Sequence, residues 1–222
     1  MSAGSGLSQH FLNREYKKVG IDFSRKAQDG ECFRNDASIL FFCANSYKSA
    51  FICLDKELKL RFEKNYHVKD IEHLILPYYF NFRHYLELSL KALIVALTED
   101  SPDLTHNLQN LITCVTNAIN VLEFDENTPA IFGTKEKFDI DKNEAIEFVQ
   151  ELKEKISEYQ KFECAEEYYI YIFERDKDSL ILKHDKIELD YNQTHSLFFE
   201  TKELFDKLLV KLRDIAYIYP TL

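Results

Sequence analysis

Four residues of one short segment, Arg83, His84, Glu87 and Lys91, have the types and the spacing that phosphate binding and proton transfer require. We call them the charged strip. Arg83, Glu87 and Lys91 stand at i, i+4 and i+8, so on a helix they share one face, where a carboxylate can hold two cations extended. Such a strip can bind a phosphate, and the imidazole can move a proton near neutral pH. Arg83 and His84 are therefore candidate catalytic residues, and Glu87 and Lys91 are candidate binding residues.

The alternative is that the charged strip has a structural role and binds no ligand. It is then either a solvated ladder of ion pairs, each worth a few tenths of a kcal/mol, or an internal polar network that locks a bundle together. The sequence leaves both interpretations open.

A further candidate site stands at the start of the next predicted helix, at His106 and Asn107. Free backbone N–H groups and the helix dipole favour an anion there, so His106 is a candidate catalytic residue and Asn107 a candidate binding residue. The alternative is a capping or core histidine. Because the charged strip lies near the start of its helix and His106 just past the end, about two to four turns of 5.4 Å each should separate them. We expect no direct contact between Arg83 and His106, although Lys91 can come nearer.

The elements that must position these residues are helices. The charged strip interrupts the most apolar segment of the chain, which predicts a central helix from Pro77 to about Thr98, with the proline in its first turn. Apolar residues at three- and four-residue spacing predict four more helices, and Asp103 or Thr105 is the predicted N-cap of the second of them. These four cover about residues 36–56, 106–122, 141–161 and 194–217.

Four of these helices have predicted inward faces that the structure can test. The helix at 141–161 is predicted to bury Ile146, Val149, Leu152, Ile156 and Tyr159. The first helix is predicted to bury Ile39, Phe42, Cys43, Tyr47, Ala50 and Leu54. The helix after the central one is predicted to bury Leu108, Leu111, Ile112, Val115 and Ile119. The last helix is predicted to bury Leu197, Phe198, Leu204, Leu208, Leu212 and Ile215.

The connections are less regular. Residues 57–67 either continue the first helix or form a loop, a short helix from Val68 leads to Pro77, and residues 123–140 form a long loop. Before the last helix, a β-branched and aromatic run at 168–173 and two further short runs predict a β-hairpin or three-stranded meander at about 166–191. The predicted fold is mainly α: an N-terminal arm (1–30), then one up-and-down helical bundle (31–222) with this β insertion.

Composition narrows the class of protein. With 222 residues, 45% of them hydrophobic, the chain can bury one full core, and 5 Gly and 4 Pro favour long helices over a many-turned β fold. A net charge of −10 argues against binding nucleic acid by bulk electrostatics, so any such contact must be local. The five cysteines are widely spaced, as in proteins of a reducing compartment, and the first residues show no signal-peptide pattern. The apolar run at 85–97 is too short to span a bilayer. We therefore predict a cytoplasmic protein.

Several established chemistries lack their motifs. The sequence has no Gly-rich phosphate loop, no G-x-S-x-G and no H-E-x-x-H, and its 7 histidines include no pair at i, i+4 with a third ligand nearby. We therefore expect no metal and no cofactor.

Two segments resemble a known family. ELSLKALI at residues 87–94 and THNLQNLI at residues 105–112 resemble the E-K-x-L-K-A-L-L and T-H-D-L-x-x-L-L signatures of the HEPN superfamily of prokaryotic helical proteins. The resemblance covers about residues 75–120. It implies a four- or five-helix up-and-down bundle, paired as a homodimer, in toxin–antitoxin regulation, antiviral defence or RNA processing. Many members are metal-independent ribonucleases whose Arg-x(4–6)-His motif assembles across the dimer cleft.

That catalytic motif does not carry over to this chain. Arg61 and His67 have its spacing, but they precede the central helix, whereas the family motif follows the second signature. The predicted function is an RNA-directed effector, either a ribonuclease or an RNA- or nucleotide-binding relative. If it cleaves, the 2′-hydroxyl attacks, His84 or His106 handles a proton, and Arg83 or Lys91 neutralises the phosphorane.

The alternative function is a non-catalytic interaction or scaffold module of a defence complex. The aromatic insertion and the long loop would then dock a protein partner encoded nearby.

Overall fold

The computed structural model describes residues 32–98, 105–124, 134–160, 173–176, 179–182 and 190–216. Within them the chain forms helices α1 (Cys32–Glu63), α2 (Val68–Thr98), α3 (Leu108–Asn120), α4 (Lys135–Gln160) and α5 (Tyr191–Ala216). Each helix except the last packs on the next one along the chain. The prediction of a mainly helical bundle is confirmed, and the predicted arm at 1–30 lies outside the described residues.

The predicted β insertion is described only in part. Strands β1 (Phe173–Asp176) and β2 (Ser179–Leu182) pair antiparallel. The rest of the segment up to residue 189 lies outside the described residues, so an inserted hairpin or meander stays a prediction. The predicted end of the β insertion, at about residue 191, was wrong. Asp190 accepts a hydrogen bond from the Gln193 N–H at 3.1 Å, as an N-cap does, and Tyr191 is the first residue of α5 rather than the last of a strand.

Helix α2 is continuous through Pro77, so the prediction of a separate short helix before this proline was wrong. A proline inside a helix removes one backbone hydrogen bond and costs about 3 kcal/mol. Burial of side chains on both sides of it, Ile71 before and Tyr78 and Tyr79 after, offsets this cost. Tertiary packing here outweighs local preference.

Helix α1 differs from its prediction in length and in its buried face. It continues to Glu63, and the chain then reverses at Asn65, whose positive φ of 53° asparagine tolerates better than most residues. The predicted stripe was wrong, since Phe42 is exposed and the other five members are only half-buried. The side chains that α1 buries are Ala37, Phe41, Ala44, Phe51, Asp55 and Leu58.

Helix α4 begins earlier than predicted. Its first residue is Lys135, and the Thr134 hydroxyl accepts a hydrogen bond from the Lys137 N–H at 3.3 Å. Residues 135–140 are therefore helical, and the predicted loop at 123–140 is too long at this end.

The core is centred on α2, whose apolar residues are buried nearly all round. The predicted stripes of α3 and α5 are confirmed, because every residue named for them is buried. The stripe of α4 is confirmed except at Ile146, which is half-buried. Helix α1 alone is apolar and long enough, within Ala37–Glu63, to cross a membrane among the described helices. Only 22% of the apolar window is buried, and a single helix of this composition does not establish a membrane span, so a cytoplasmic location stays a prediction.

Candidate functional site

Glu87 is the centre of the charged strip. One carboxylate oxygen, Oε2, accepts a hydrogen bond from Arg83 Nη1 at 3.0 Å, and the other, Oε1, accepts from Lys91 Nζ at 2.9 Å. The i, i+4 spacing on α2 makes both contacts, as the sequence predicts. The side chains of Arg83 and Glu87 are only 4% and 6% exposed, so these are buried ion pairs rather than a solvated ladder.

His106 joins this network, which corrects the prediction that it lies two to four turns away. Its Nδ1–H donates to Glu87 Oε1 at 2.8 Å, and Arg83 Nη2 donates to its backbone carbonyl. Helix α3 therefore begins beside the middle of α2 rather than at the end of α2. Nine residues separate Thr98 from Leu108, and at about 3.3 Å each they can span the roughly 16 Å between Thr98 and Glu87.

Asn107 holds the start of α3 and is its N-cap. Its side-chain oxygen accepts a hydrogen bond from the Asn110 N–H at 3.0 Å, and its own N–H donates to the Thr105 hydroxyl. The N-cap predicted at Asp103 or Thr105 was therefore wrong. Asn107 fixes the position from which His106 reaches Glu87, and its oxygen is engaged in capping rather than facing a ligand.

His84 does not join the network. Its Nδ1–H donates to the Phe80 carbonyl at 3.0 Å, and its ring lies against those of Phe80 and Tyr47, with centroids 4.0 Å and 5.1 Å away. Burial lowers the pKa of His84, and the hydrogen bond to the Phe80 carbonyl opposes this shift only in part. His84 is therefore neutral at pH 7 and packs as an aromatic residue.

Arg83 and Lys91, the two cations of the charged strip, both form ion pairs with Glu87. Burial by itself would raise the pKa of this carboxyl, but the hydrogen bond from Lys91, the charge of Arg83 and the hydrogen bond from His106 together hold the pKa below its ordinary value. Glu87 is therefore ionised near neutral pH. Because Arg83 is buried against Glu87, and Lys91 is 11% exposed, neither cation faces a substrate phosphate.

His106 is the accessible member of the network. Its side chain is 57% exposed while Nδ1 is held by buried Glu87. A carboxylate that accepts from Nδ1 fixes the tautomer and leaves Nε2 to accept or donate a proton, which is the arrangement of a general acid–base histidine. In the part of the chain that the structure describes, no group is bonded to Nε2.

The pH dependence of stability tests the state of Glu87. Since its folded-state pKa lies below the ordinary 4.5, the unfolded chain binds this proton first as the pH falls. The contribution of Glu87 is thus fully present above about pH 5 and is lost as the pH falls through the folded-state pKa. We expect the stability advantage of the wild type over Glu87→Gln, measured by urea unfolding, to shrink on acidification from about pH 7 to pH 3. A constant difference would contradict the lowered pKa.

A second carboxylate–imidazole pair was not predicted from the sequence. Asp55 of α1 is buried, and its Oδ1 accepts hydrogen bonds from His195 Nδ1 at 2.8 Å and from the Tyr78 hydroxyl at 2.9 Å. Burial, and then the charge of Asp55, raise the pKa of Tyr78 and keep its hydroxyl protonated. The one sequence signal was an acidic residue within an otherwise apolar helical stripe, and nothing in the sequence pairs it with a histidine 140 residues away.

No hydrogen bond joins the side chains of Arg61 and His67 among the described residues. Arg61 Nε donates to Glu57 at 2.7 Å, and its Nη1 donates to the Asp70 carbonyl. The carbonyl of His67 accepts from the Asp70 N–H at the start of α2. Among the described residues there is also no group of three or more His, Cys, Asp or Glu side chains that could hold a metal ion.

No family model, no curated protein and no solved structure matches the chain.

Proposed function

We propose that this protein is an RNA-directed effector of the HEPN-like type, acting in prokaryotic antiviral defence or toxin–antitoxin regulation, with His106 as its proton-transferring residue. The observation that carries the proposal is the 2.8 Å bond from His106 Nδ1 to Glu87. It joins the two segments that resemble the family signatures, and it orients an imidazole at the surface. The proposal includes a homodimer and a β insertion that ends before Asp190, the residue that caps α5.

The residue roles follow from the geometry. His106 is the catalytic residue, because its Nε2 is accessible. Glu87 is a positioning residue that holds Nδ1, and Arg83 and Lys91 position Glu87 in turn. The roles expected for Arg83 and Lys91 at the phosphorane, and for His84 as a proton carrier, are therefore set aside.

The reaction we propose is metal-independent cleavage of RNA. Neutral His106 Nε2 takes the proton of a ribose 2′-hydroxyl, the 2′-oxygen bonds to the adjacent phosphorus, and the bond from phosphorus to the 5′-oxygen breaks. The 5′-oxygen leaves with a proton from a second histidine in its imidazolium form, which becomes neutral. The products are a 2′,3′-cyclic phosphate and a 5′-hydroxyl. In a homodimer, two copies of His106 could supply the base and the acid.

Cleavage of a labelled single-stranded RNA in EDTA tests this function. His106→Asn should lower the cleavage rate by about a hundredfold or more, which is the scale of general acid–base catalysis. His73→Asn, at an exposed histidine of α2, is the matched control and should cleave as the wild type does. Both variants should melt like the wild type, since the His106 ring is more than half exposed. Equal rates for His106→Asn and the wild type would contradict the proposed role of His106.

One observation favours a second function. The carboxylate of Glu87 accepts from Arg83, Lys91 and His106 together, which is how a network that only locks a bundle is arranged. A non-catalytic interaction or scaffold module in a defence complex is therefore the alternative. Wild-type protein that neither cleaves nor binds RNA would favour it.

A further inference from the structure

The Asp55–His195 pair lies beside a row of aromatic rings that reaches the protein surface. Tyr191, His195 and Phe199 follow one another at i, i+4 and i+8 on α5, with ring centroids 5.6 Å and 4.4 Å apart. Phe62, in the last turn of α1, extends the row, its ring 5.1 Å from that of Tyr191. We call Phe62, Tyr191, His195 and Phe199 the aromatic row.

Asp55 fixes two members of this row. Its carboxylate holds His195 Nδ1, and its backbone carbonyl accepts a hydrogen bond from the Tyr191 hydroxyl at 3.4 Å. Burial, followed by the charge of Asp55, raises the pKa of Tyr191, so the ring stays a neutral phenol. The arrangement is preorganised, because Asp55 of α1 holds one ring of α5 through its carboxylate and another through its backbone carbonyl.

The outer side of the row is open to a ligand. Phe62 is 38% exposed and the His195 side chain is 39% exposed. With Nδ1–H donating to Asp55, the neutral form of the imidazole has its lone pair on Nε2, and no described residue is bonded to that nitrogen of His195. The partly exposed ring of Phe62 and the Nε2 nitrogen of His195 thus belong to the same row.

The charge around the row also differs from that of the whole chain. Residues 55–73, which include Asp55 and the α1–α2 turn, carry five Lys and Arg against five Asp and Glu, in a protein of net charge −10. In the same turn Tyr66 is 47% exposed, with Arg61 Cζ 5.9 Å from its ring centroid. An anionic chain is therefore repelled less at this end than by the average surface of the protein.

We infer that the aromatic row is a nucleobase-binding site, in which Phe62 stacks on the base and His195 Nε2 accepts a hydrogen bond from an amino or imino N–H at the edge of the base. Stacking on aromatic side chains is the general mode by which proteins hold unpaired bases, and phosphates can lie toward the lysines of the turn. The inference rests on the proposed function only in taking RNA as the polymer that carries the base.

Fluorescence anisotropy with a labelled 2′-O-methyl oligonucleotide of about eight residues tests the site, since this backbone cannot undergo attack by a 2′-hydroxyl. Phe62→Ala should weaken binding by about 5- to 150-fold, the scale for losing one base–aromatic stack. Leu60→Ala is the matched control, because Leu60 has the same exposure, 39%, two positions away on the same helix, and it should bind like the wild type. An abasic oligonucleotide of equal length should bind the wild type about as weakly as the intact one binds Phe62→Ala.

His195→Phe separates stacking from hydrogen bonding. It keeps a ring in the row but has no Nε2 acceptor, so it should bind bases while losing the wild-type preference among them. Competition with AMP decides the source of the base: displacement at micromolar concentration indicates a free nucleotide, and displacement only by oligonucleotide indicates RNA.

Three results would overturn the inference: no binding by the wild type, equal affinities for Phe62→Ala and Leu60→Ala, or tight binding of the abasic oligonucleotide. Helical circular dichroism like that of the wild type and a single cooperative melting transition establish that each variant is folded. His195→Phe should melt at a lower temperature, because buried Asp55 loses the bond from Nδ1. His106→Asn should keep this binding, so failure of the proposed cleavage leaves the test of the aromatic row unaffected.

Discussion

Glu87→Ala should lower the free energy of unfolding by about 3–5 kcal/mol, the cost of removing one partner from a buried ion pair. Arg83 would keep its charge in the core, since arginine does not deprotonate, and its Nη1 would lose the carboxylate 3.0 Å away. Lys91 and His106 would lose their bonds to the same carboxylate. Urea unfolding followed by helical circular dichroism measures the change.

Glu57→Ala is the matched control for this prediction. Glu57 pairs with Arg61 at the same i, i+4 spacing and a distance of 2.7 Å, but its side chain is 43% exposed, so the loss should stay within about 1 kcal/mol. The double variant Arg83→Met/Glu87→Leu removes both charges and should recover much of the loss. Equal stabilities of Glu87→Ala and Glu57→Ala would refute the burial of the network.

The double variant also separates the two functions of the network. It keeps an apolar, folded bundle, but His106 loses the group that holds Nδ1. If the network only locks the bundle, restored stability should restore every property of the protein. If His106 transfers protons, the stable double variant should still cleave RNA poorly, because its imidazole is no longer oriented.

The buried faces of α3 and α5 could be predicted from the sequence, whereas that of α1 could not. Polar residues occupy the outer sides of α3 and α5, so only one side can be buried. Helix α1 is apolar on more than one side, and several overlapping stripes fit the same spacing. Phe51 is buried and Phe42 is exposed, because α2 and α5 pack on the side of α1 that carries Phe51. Tertiary contacts therefore determine which stripe of α1 is buried.

The candidate site was predictable where its contacts lie within one helix. The bonds from Arg83 and Lys91 to Glu87 follow from spacing alone. The contact of His106 depends on where α3 begins along α2, and the sequence does not specify that. His84, one position from Arg83, points about 100° away around the helix and meets aromatic rings instead.

The Asp55–His195 pair shows the limit of sequence reasoning most clearly. Its two residues come from the first and last described helices and meet only because both pack on α2 near Tyr78. No spacing rule links positions so far apart, and a lone acidic residue in an apolar helix indicates only that some partner is needed. Tertiary structure supplies that partner.

Phe198→Ala should be the most destabilising truncation of an apolar side chain, at about 3–5 kcal/mol. The ring of Phe198 is fully buried and stacks on that of Phe82, with centroids 3.6 Å apart and planes 6° apart. It also lies within 5.8 Å of the rings of Tyr78 and Tyr159. The substitution therefore leaves a cavity where α2, α4 and α5 meet.

Val210→Ala on the same helix is the control for this truncation. Val210 is 49% exposed, so its loss should change the free energy of unfolding by no more than about 0.5 kcal/mol. Because Phe198 joins helices that are distant in sequence, its removal should lower the stability of all of them together, and urea unfolding should remain a single transition with an earlier midpoint. Two separate transitions, or a loss as small as that of Val210→Ala, would mean that the helices do not share the core centred on this ring.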